Sequence, residues 1–327
     1  MRGRALRFTG PRQVALADQE LPDPAPGEVL VRTLVSAVSA GSELLAYRGL
    51  IEPETPLDPL LPALSGRFEF PFGYGYAAVG EVVTSGRAEG ERVFLFAPHA
   101  THHVAAAASL WPVPRDVSLD NAALFATLET ALSIVHDAAP LVGERVVVIG
   151  QGVVGLACTA LLAGTGLEAL VAVDRLEARR AWARELGATH AAGPDDTILD
   201  VLGASGADLV IEVSGDPAAL ELALALAGLE ARVVVASWYG TKETRLALGT
   251  SFHRKRLRLL SSQVSQVAPA LRGRWDKARR REAVAALAPR LGLGRLVSHR
   301  LPFERAPEAY RLLDDHPGDA LQLLFTY

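Results

Sequence analysis

The chain has 327 residues, 50% of them apolar, a net charge of −4 and a single cysteine. That length points to two domains and not one large core, the charge gives no general attraction for nucleic acid, and one cysteine excludes an internal disulfide or a multi-cysteine zinc site. No apolar run reaches the ~18 residues of a membrane span, and MRGRALRFTGPRQVALADQE reads as a strand and turn and not as a signal peptide, so a cytoplasmic protein is expected.

Residues 1–116 carry short alternating runs broken by Gly and Pro. VLVRTLVSAVS at 29–39 reads as a strand, and AAVGEVVTSG at 77–86 with ERVFLFAPH at 91–99 reads as a hairpin pair, which predicts a small, mostly β domain. Between Tyr47 and Phe72 lie Pro53, Pro56, Pro59, Pro62 and Pro71, the composition of a rim loop over a cleft. His99, His102 and His103 in PHATHH share a face only if the stretch is helical; following a strand, they predict no metal cluster. Asp120 is placed to cap a helix running to about residue 138.

After Gly143 the period changes to strand–helix repeats. RVVVIG (145–150), LEALVAVD (167–174), ADLVIEVSG (207–215), ARVVVASWYG (231–240) and RLRLLSS (256–262) read as strands, separated by helices in ACTALLAG, RLEARRAWARELG and PAALELALALAG. Buried β-branched strands alternating with helices predict a parallel sheet covered on both faces. From Phe252 to Arg281 there are ten Lys or Arg and one acid, Asp276, either a solvated helix face or an anion-binding edge. The chain ends in a short apolar strand, LQLLFTY.

VVVIGQGVVGLACTALLAG places Gly150, Gly152 and Gly155 between a strand and a helix, the context that a dinucleotide-binding GxGxxG requires. The first glycine allows the tight turn, the second lets backbone approach a pyrophosphate, and the third permits close helix–strand packing. Val153 and Val154 open the helix whose free N–H groups would face the diphosphate. Asp174 closes the next strand, 24 residues after Gly150. A carboxylate there accepts from a ribose 2′-hydroxyl and repels a 2′-phosphate, favouring NAD. Arg175 beside it offsets part of that preference and keeps NADP possible. Ser214 and Gly215, closing ADLVIEVSG, complete the candidate cofactor residues.

GYGYAAVGEV, VVVIGQGVVGLACTALLAG, LVIEVSG and LPFERAPEAYRLL together resemble the medium-chain dehydrogenase/reductase superfamily over essentially the whole chain. The resemblance implies an α/β protein with a GroES-like catalytic domain over 1–116, a Rossmann doubly wound parallel-sheet domain over 117–262, and a return to the catalytic domain over 263–327. In zinc-dependent members the catalytic metal is held by a cysteine in a GICGTD-like motif, by the His and often the Glu of GHE, and by a later acidic residue or cysteine. Here Ala40 stands at the cysteine, Tyr76 and Ala77 at the His and Glu, and only Glu129 matches the later position. One oxygen ligand cannot specify a four-coordinate zinc, so no zinc is expected. The four closely spaced cysteines of the structural zinc lobe are absent too. SAGSELLAYRG, ETALSIVHDAAPLVGERV, SWYG and LLSSQVSQVAPALRGRWDKARRR are similar to a zinc-less subgroup, distantly similar to bacteriochlorophyllide 2-hydroxyethyl dehydrogenases.

For chemistry, the resemblance puts Ser42 where zinc enzymes touch the substrate alcohol oxygen; otherwise it is a turn hydroxyl. Glu43 matches a carboxylate that supports the metal's histidine, and without metal it reads as a structural acceptor. Tyr76 either hydrogen-bonds a substrate oxygen or fills the vacated volume. Glu129 either relays a proton or clamps neighbouring backbone. Tyr47 and Arg48, at the start of the rim loop, are candidate substrate contacts, Arg48 as a clamp for an anionic group. Trp238 and Tyr239 follow a sheet strand, where open α/β sheets bind ligands. The leading expectation is a zinc-independent, NAD(H)-linked oxidoreductase acting on an alcohol/carbonyl pair of a small molecule. A quinone or enoyl reductase and a nucleotide-binding protein without turnover stand as alternatives. A homodimer paired through the strand at 256–260 is expected, with no nucleic-acid or membrane partner.

Overall fold

The computed structural model describes residues 1–84 and 89–327. Two compact units emerge: Met1–Ala126 with Arg281–Tyr327, and Thr127–Arg280.

The first unit opens with β1 (Arg2–Gly10) and β2 (Gln13–Glu20), an antiparallel hairpin. β3 (Glu28–Val38) leads into α1 (Ala40–Arg48), and β4 (Ala78–Val82), β5 (Arg92–Leu95), β6 (His102–Ala106) and β7 (Trp111–Pro112) follow. The expected hairpin pair is present as antiparallel β4 and β5; residues 85 and 86 of the run read at 77–86 lie outside the described residues. α1 is the main difference in this region. Sequence reading starts a loop at Tyr47, whereas Tyr47 and Arg48 close a helix that ends on the left-handed Gly49. The proline-rich segment beyond it is anchored by Ile51, Leu57, Leu64 and Phe68, all buried in the same apolar cluster as Phe8, Phe72 and Tyr310.

The expected single helix from Asp120 is two: α2 (Leu119–Ala123) and α3 (Phe125–Ala138), broken at Leu124. Ser118, not Asp120, is the cap, accepting from the Asn121 N–H at 3.2 Å. Asp120 lies in the first turn and pairs with Arg300.

The second unit alternates β8 (Arg145–Ile149), α4 (Val153–Leu162), β9 (Ala169–Val173), α5 (Glu177–Glu185), β10 (His190–Ala192), α6 (Ile198–Leu202), β11 (Ala207–Glu212), α7 (Ala219–Leu226), β12 (Ala227–Val235) and β13 (Arg258–Ser261). Every neighbouring pair is parallel, in the order β10-β9-β8-β11-β12-β13. Counted from β8, that is the 3-2-1-4-5-6 order of a Rossmann fold, whose crevice opens where the order reverses, between β8 and β11. Val147, Val171, Val210 and Val233 are fully buried at the centre of this sheet.

α8 (Lys277–Leu291) carries the chain back to the first unit, where β14 (Val297–Pro302), α9 (Ala306–Asp315) and β15 (Gln322–Thr326) complete a sheet ordered β14-β15-β3-β4-β5-β7, with β6 also on β3. The architecture is α/β in two parts: a GroES-like, largely antiparallel sheet and an all-parallel Rossmann sheet.

Candidate active site

In the second unit, the glycines behave as the sequence requires. Gly150 has φ +96°, and a Cβ on it would come within 2.5 Å of Ser214 Cα. A Cβ on Gly155 would sit 1.8 Å from the Gly150 carbonyl oxygen. Around Gly152 and Gly215 a Cβ meets nothing within 4 Å, so open space lies at the switch point where a diphosphate would sit. Gly152 caps α4 without a side-chain partner, which leaves the first-turn N–H groups of Val153 and Val154 available to an anion. The residues present therefore fit a dinucleotide.

Asp174 terminates β9 as expected, and each of its oxygens is already engaged: Oδ2 accepts from Gln151 N at 2.7 Å and Oδ1 from Leu176 N at 2.9 Å. Each retains a further lone pair for a ribose hydroxyl. Arg175 is exposed beside it. Ser214 donates from N and Oγ to the buried Glu212, and Gly215 N donates to Ser237 Oγ at 2.8 Å. Tyr239 donates to the other Glu212 oxygen at 2.5 Å, and burial together with that carboxylate pushes its phenol well above the usual range. Trp238 is 42% exposed. Glu212 gives no motif in the sequence; only its position at the end of a buried strand hints at it.

In the first unit, the segments matching the zinc ligands form a hydroxyl cluster. Tyr76 OH is bonded to Ser39 Oγ and lies 3.3 Å from Ser42 Oγ. Burial raises the Tyr76 phenol, against the lowering effect of the Ser39 and Ser42 bonds, so it is held as a donor. Ser39 is the N-cap of α1, yet its hydroxyl makes no capping bond; the cap N–H is taken by Glu43 Oε1 at 2.7 Å. Sequence reading missed Ser39 because it closes the strand-like run at 29–39 and α1 behind it was not read. Glu43 is fully buried, and its Oε2 meets His99 Nε2 at 3.0 Å and accepts from Tyr310.

These donors do not fit a metal. Ala40 and Ala77 offer no ligand atom, Tyr76 is committed to serines, and Glu43 and His99 are bonded to each other. Among the described residues no group of three or more His, Cys, Asp or Glu side chains is arranged to hold a metal ion. His102 and His103 lie on strand β6, and burial lowers the His103 imidazole to about 4. Burial pushes the Cys158 thiol up to about 12.

Two expected substrate contacts are otherwise occupied. Tyr47 is buried in the core, its ring 5.4 Å from that of Tyr310. Arg48 donates through Nε to Asp314 at 2.5 Å. Both follow from α1, which turns Tyr47 inward and Arg48 towards α9. Glu129, in α3, forms a buried ion pair with Arg280 at 2.9 Å, and Arg280 also donates to Ser133 Oγ and to the carbonyls of Val264 and Gln266. Sequence reading left Arg280 in a basic run that was either a solvated helix face or an anion-binding edge; its burial at 3% exposed is a tertiary effect.

Residues 153–281 match the zinc-binding dehydrogenase family. That match spans nucleotide-unit residues and none of the positions 40, 76, 77 and 129, so the family's description says nothing about a metal here. D-guloside 3-dehydrogenase of Escherichia coli K12 is 26% identical, covering 99% of this chain and 100% of its own. The 2-desacetyl-2-hydroxyethyl bacteriochlorophyllide A dehydrogenase of Cereibacter sphaeroides is 26% identical, covering 100% and 99%. In structure, the alcohol dehydrogenase RspB from E. coli CFT073, complexed with NADH, superposes with a TM-score of 0.79 at 20% identity, covering 100% of this chain and 99% of that one. Over its whole length the chain is similar to these dehydrogenases and shares their fold. No helix among the described residues is long and apolar enough to cross a membrane.

Proposed function

We propose that this medium-chain dehydrogenase/reductase transfers hydride between NAD(H) and an alcohol/carbonyl pair without a metal, with Tyr76 as the hydrogen-bond donor to the substrate oxygen. The observation that carries this reading is the Ser39–Tyr76–Ser42 hydroxyl cluster, in which Tyr76 stands where the resemblance puts the zinc-ligating His. The nicotinamide, when bound, supplies the hydride. The chain's own task is to polarise a carbonyl and to hold the alkoxide that forms; a phenol that keeps its proton suits this as a donor. Ser42 orients Tyr76 and lies within reach of the same oxygen.

Glu129 enters this reading as the partner of Arg280 and not as a proton carrier. A buried carboxylate facing a guanidinium already has the compensation it needs. An anionic substrate loses support with Arg48 held by Asp314, whereas hydroxyl-rich substrates gain some from the guloside dehydrogenase. NAD is favoured over NADP by Asp174, with Trp238 and Tyr239 proposed to border the nicotinamide end of the crevice. Leu259 and Leu260, each 38% exposed on the edge strand β13, support a homodimer, which sedimentation velocity tests directly. A cytoplasmic location is proposed from the single, buried cysteine.

The deciding experiment is steady-state turnover with both cofactors against secondary alcohols, glycosides and ketones, in protein dialysed against chelator. Activity is expected to survive the chelator, and Tyr76→Phe is expected to lower kcat about 100-fold with NADH affinity unchanged. A chelator-sensitive activity restored by zinc, or a Tyr76→Phe enzyme as fast as the parent, would overturn the reading.

A further inference from the structure

His99 holds a position that the hydroxyl cluster alone does not explain. Its ring is completely buried, with Nδ1 2.7 Å from Ser36 Oγ and Nε2 3.0 Å from Glu43 Oε2. Ser36 Oγ in turn lies 2.7 Å from Tyr327 OH. The donors can be ordered along this chain. Glu43 accepts from Ser39 N and Tyr310 OH, so the third group facing it, Nε2, carries a proton and donates. That tautomer leaves Nδ1 to accept from Ser36, which accepts in turn from Tyr327. Every polar group in the set then has a partner, as full burial demands.

His99 also touches the segments that flank both halves of the hydroxyl cluster. On one side, its backbone N–H donates to the Tyr74 carbonyl at 3.1 Å. Its ring lies so close to Gly75 that a Cβ there would fall 2.4 Å from His99 Cδ2; Gly75 has φ +92° and directly precedes Tyr76. On the other side, the bond to Glu43 fixes the carboxylate that holds Ser39 N at the start of α1, the turn that carries Ser39 and Ser42.

We propose that His99 is the positioning residue of this site, setting Tyr76 against Ser39 and Ser42 in the place where zinc members use a metal to hold the same segments. This rests on the reading that Tyr76 meets the substrate oxygen, but the geometric claim is testable without any substrate. The chain has six tyrosines, so protein labelled with carbon-13 at tyrosine Cζ gives six signals, assigned by Tyr→Phe changes. The Cζ shift reports the hydrogen bonding of each phenol.

In His99→Phe the Tyr76 signal is expected to move or split, while that of Tyr239, in the Rossmann unit, stays and NADH binding remains within about twofold. His99→Gln, which retains a donor towards Glu43, is expected to return the Tyr76 signal most of the way. Gly75→Ala, which leaves His99 chemically intact but displaces its ring, is expected to disturb Tyr76 as His99→Phe does. With a substrate in hand, His99→Phe is expected to lose at least tenfold in kcat with KM within about twofold. An unmoved Tyr76 signal in both His99→Phe and Gly75→Ala, alongside a lowered melting temperature, would make His99 a core histidine and end the proposal. If His99→Phe does not fold, the Gly75→Ala signal decides alone. A parent enzyme without turnover on any compound would count against the proposed function and leave the Tyr76 signal to judge His99.

Discussion

Ser39 and Glu43 exchange the roles that their positions suggest. The serine at the helix start gives its hydroxyl to Tyr76, and the glutamate four residues on satisfies the serine's N–H. Glu129 and Arg280 show a comparable division. Removing the guanidinium by Arg280→Met leaves the buried Glu129 carboxylate without its cation, and a loss of about 3 kcal/mol is expected in denaturant unfolding. Adding Glu129→Gln to Arg280→Met is expected to recover part of that loss, because the charge that needed a partner is gone. The cycle reads the pairing directly; additive losses would show that the two residues act separately. Glu129→Gln alone is expected to lower the melting temperature with little change in turnover. The sequence picked out Ser42, Tyr76 and Glu129 through the resemblance, which sets Tyr76 and Glu129 at ligand positions of zinc members and Ser42 where those members touch the substrate oxygen. It did not pick out Ser39, His99 or Arg280, whose partners are 37, 56 and 151 residues away.

The turn from β8 into α4 shows how an element can be fixed by its glycines. With the Gly150 carbonyl oxygen 1.8 Å from a Cβ on Gly155, Gly155→Ala forces α4 away from the end of β8. The expected result is a destabilisation of 1–3 kcal/mol, as for overpacking generally, and NADH affinity lowered at least tenfold by fluorescence titration. Gly152→Ala, with open space around its Cβ, is expected to fold normally and still weaken the cofactor by occupying its place. Elements of this kind were legible because strand, glycine turn and helix are contiguous in sequence. β8, β9, β11 and β13 were read to within three residues of their bounds, since buried β-branched runs have few other uses, whereas β12 begins four residues earlier and ends five residues earlier than the run read at 231–240. α1, α6 and β10 were not read: they are nine, five and three residues long, too short for a period to emerge. Asp120 and Ser118 competed as caps, and Ser118 won because its hydroxyl, two residues earlier, reaches the Asn121 N–H.

Across the molecule, stability is expected to depend on pH through buried histidine. His103 is 7% exposed, its Nε2 has no hydrogen-bond partner, and its folded pKa is about 4 against an ordinary 6.5. Between those values the unfolded chain binds the proton that the folded one refuses. The stabilising effect is therefore complete above about pH 6.5 and is lost as pH falls towards 4, by at most about 1.4 kcal/mol per pH unit from this residue. Urea unfolding from pH 7 to 4.5 is expected to show that slope, and His103→Phe to flatten it; an unchanged slope would assign acid sensitivity to other groups. Composition and pattern by themselves determined the two-part α/β organisation, the parallel sheet and the strand–glycine–helix turn, because each is written in neighbouring residues; the reading of positions 40, 76 and 77 came from the resemblance. Tertiary structure alone decided which polar groups serve which. Tyr47 went to the core, Arg48 to Asp314, Arg280 to Glu129, and His99 to the junction between Glu43 and the Tyr76 segment. The physical reason is that a buried polar side chain must find partners wherever the packed chain supplies them, and a linear sequence does not say which distant segments will arrive within 3 Å of each other.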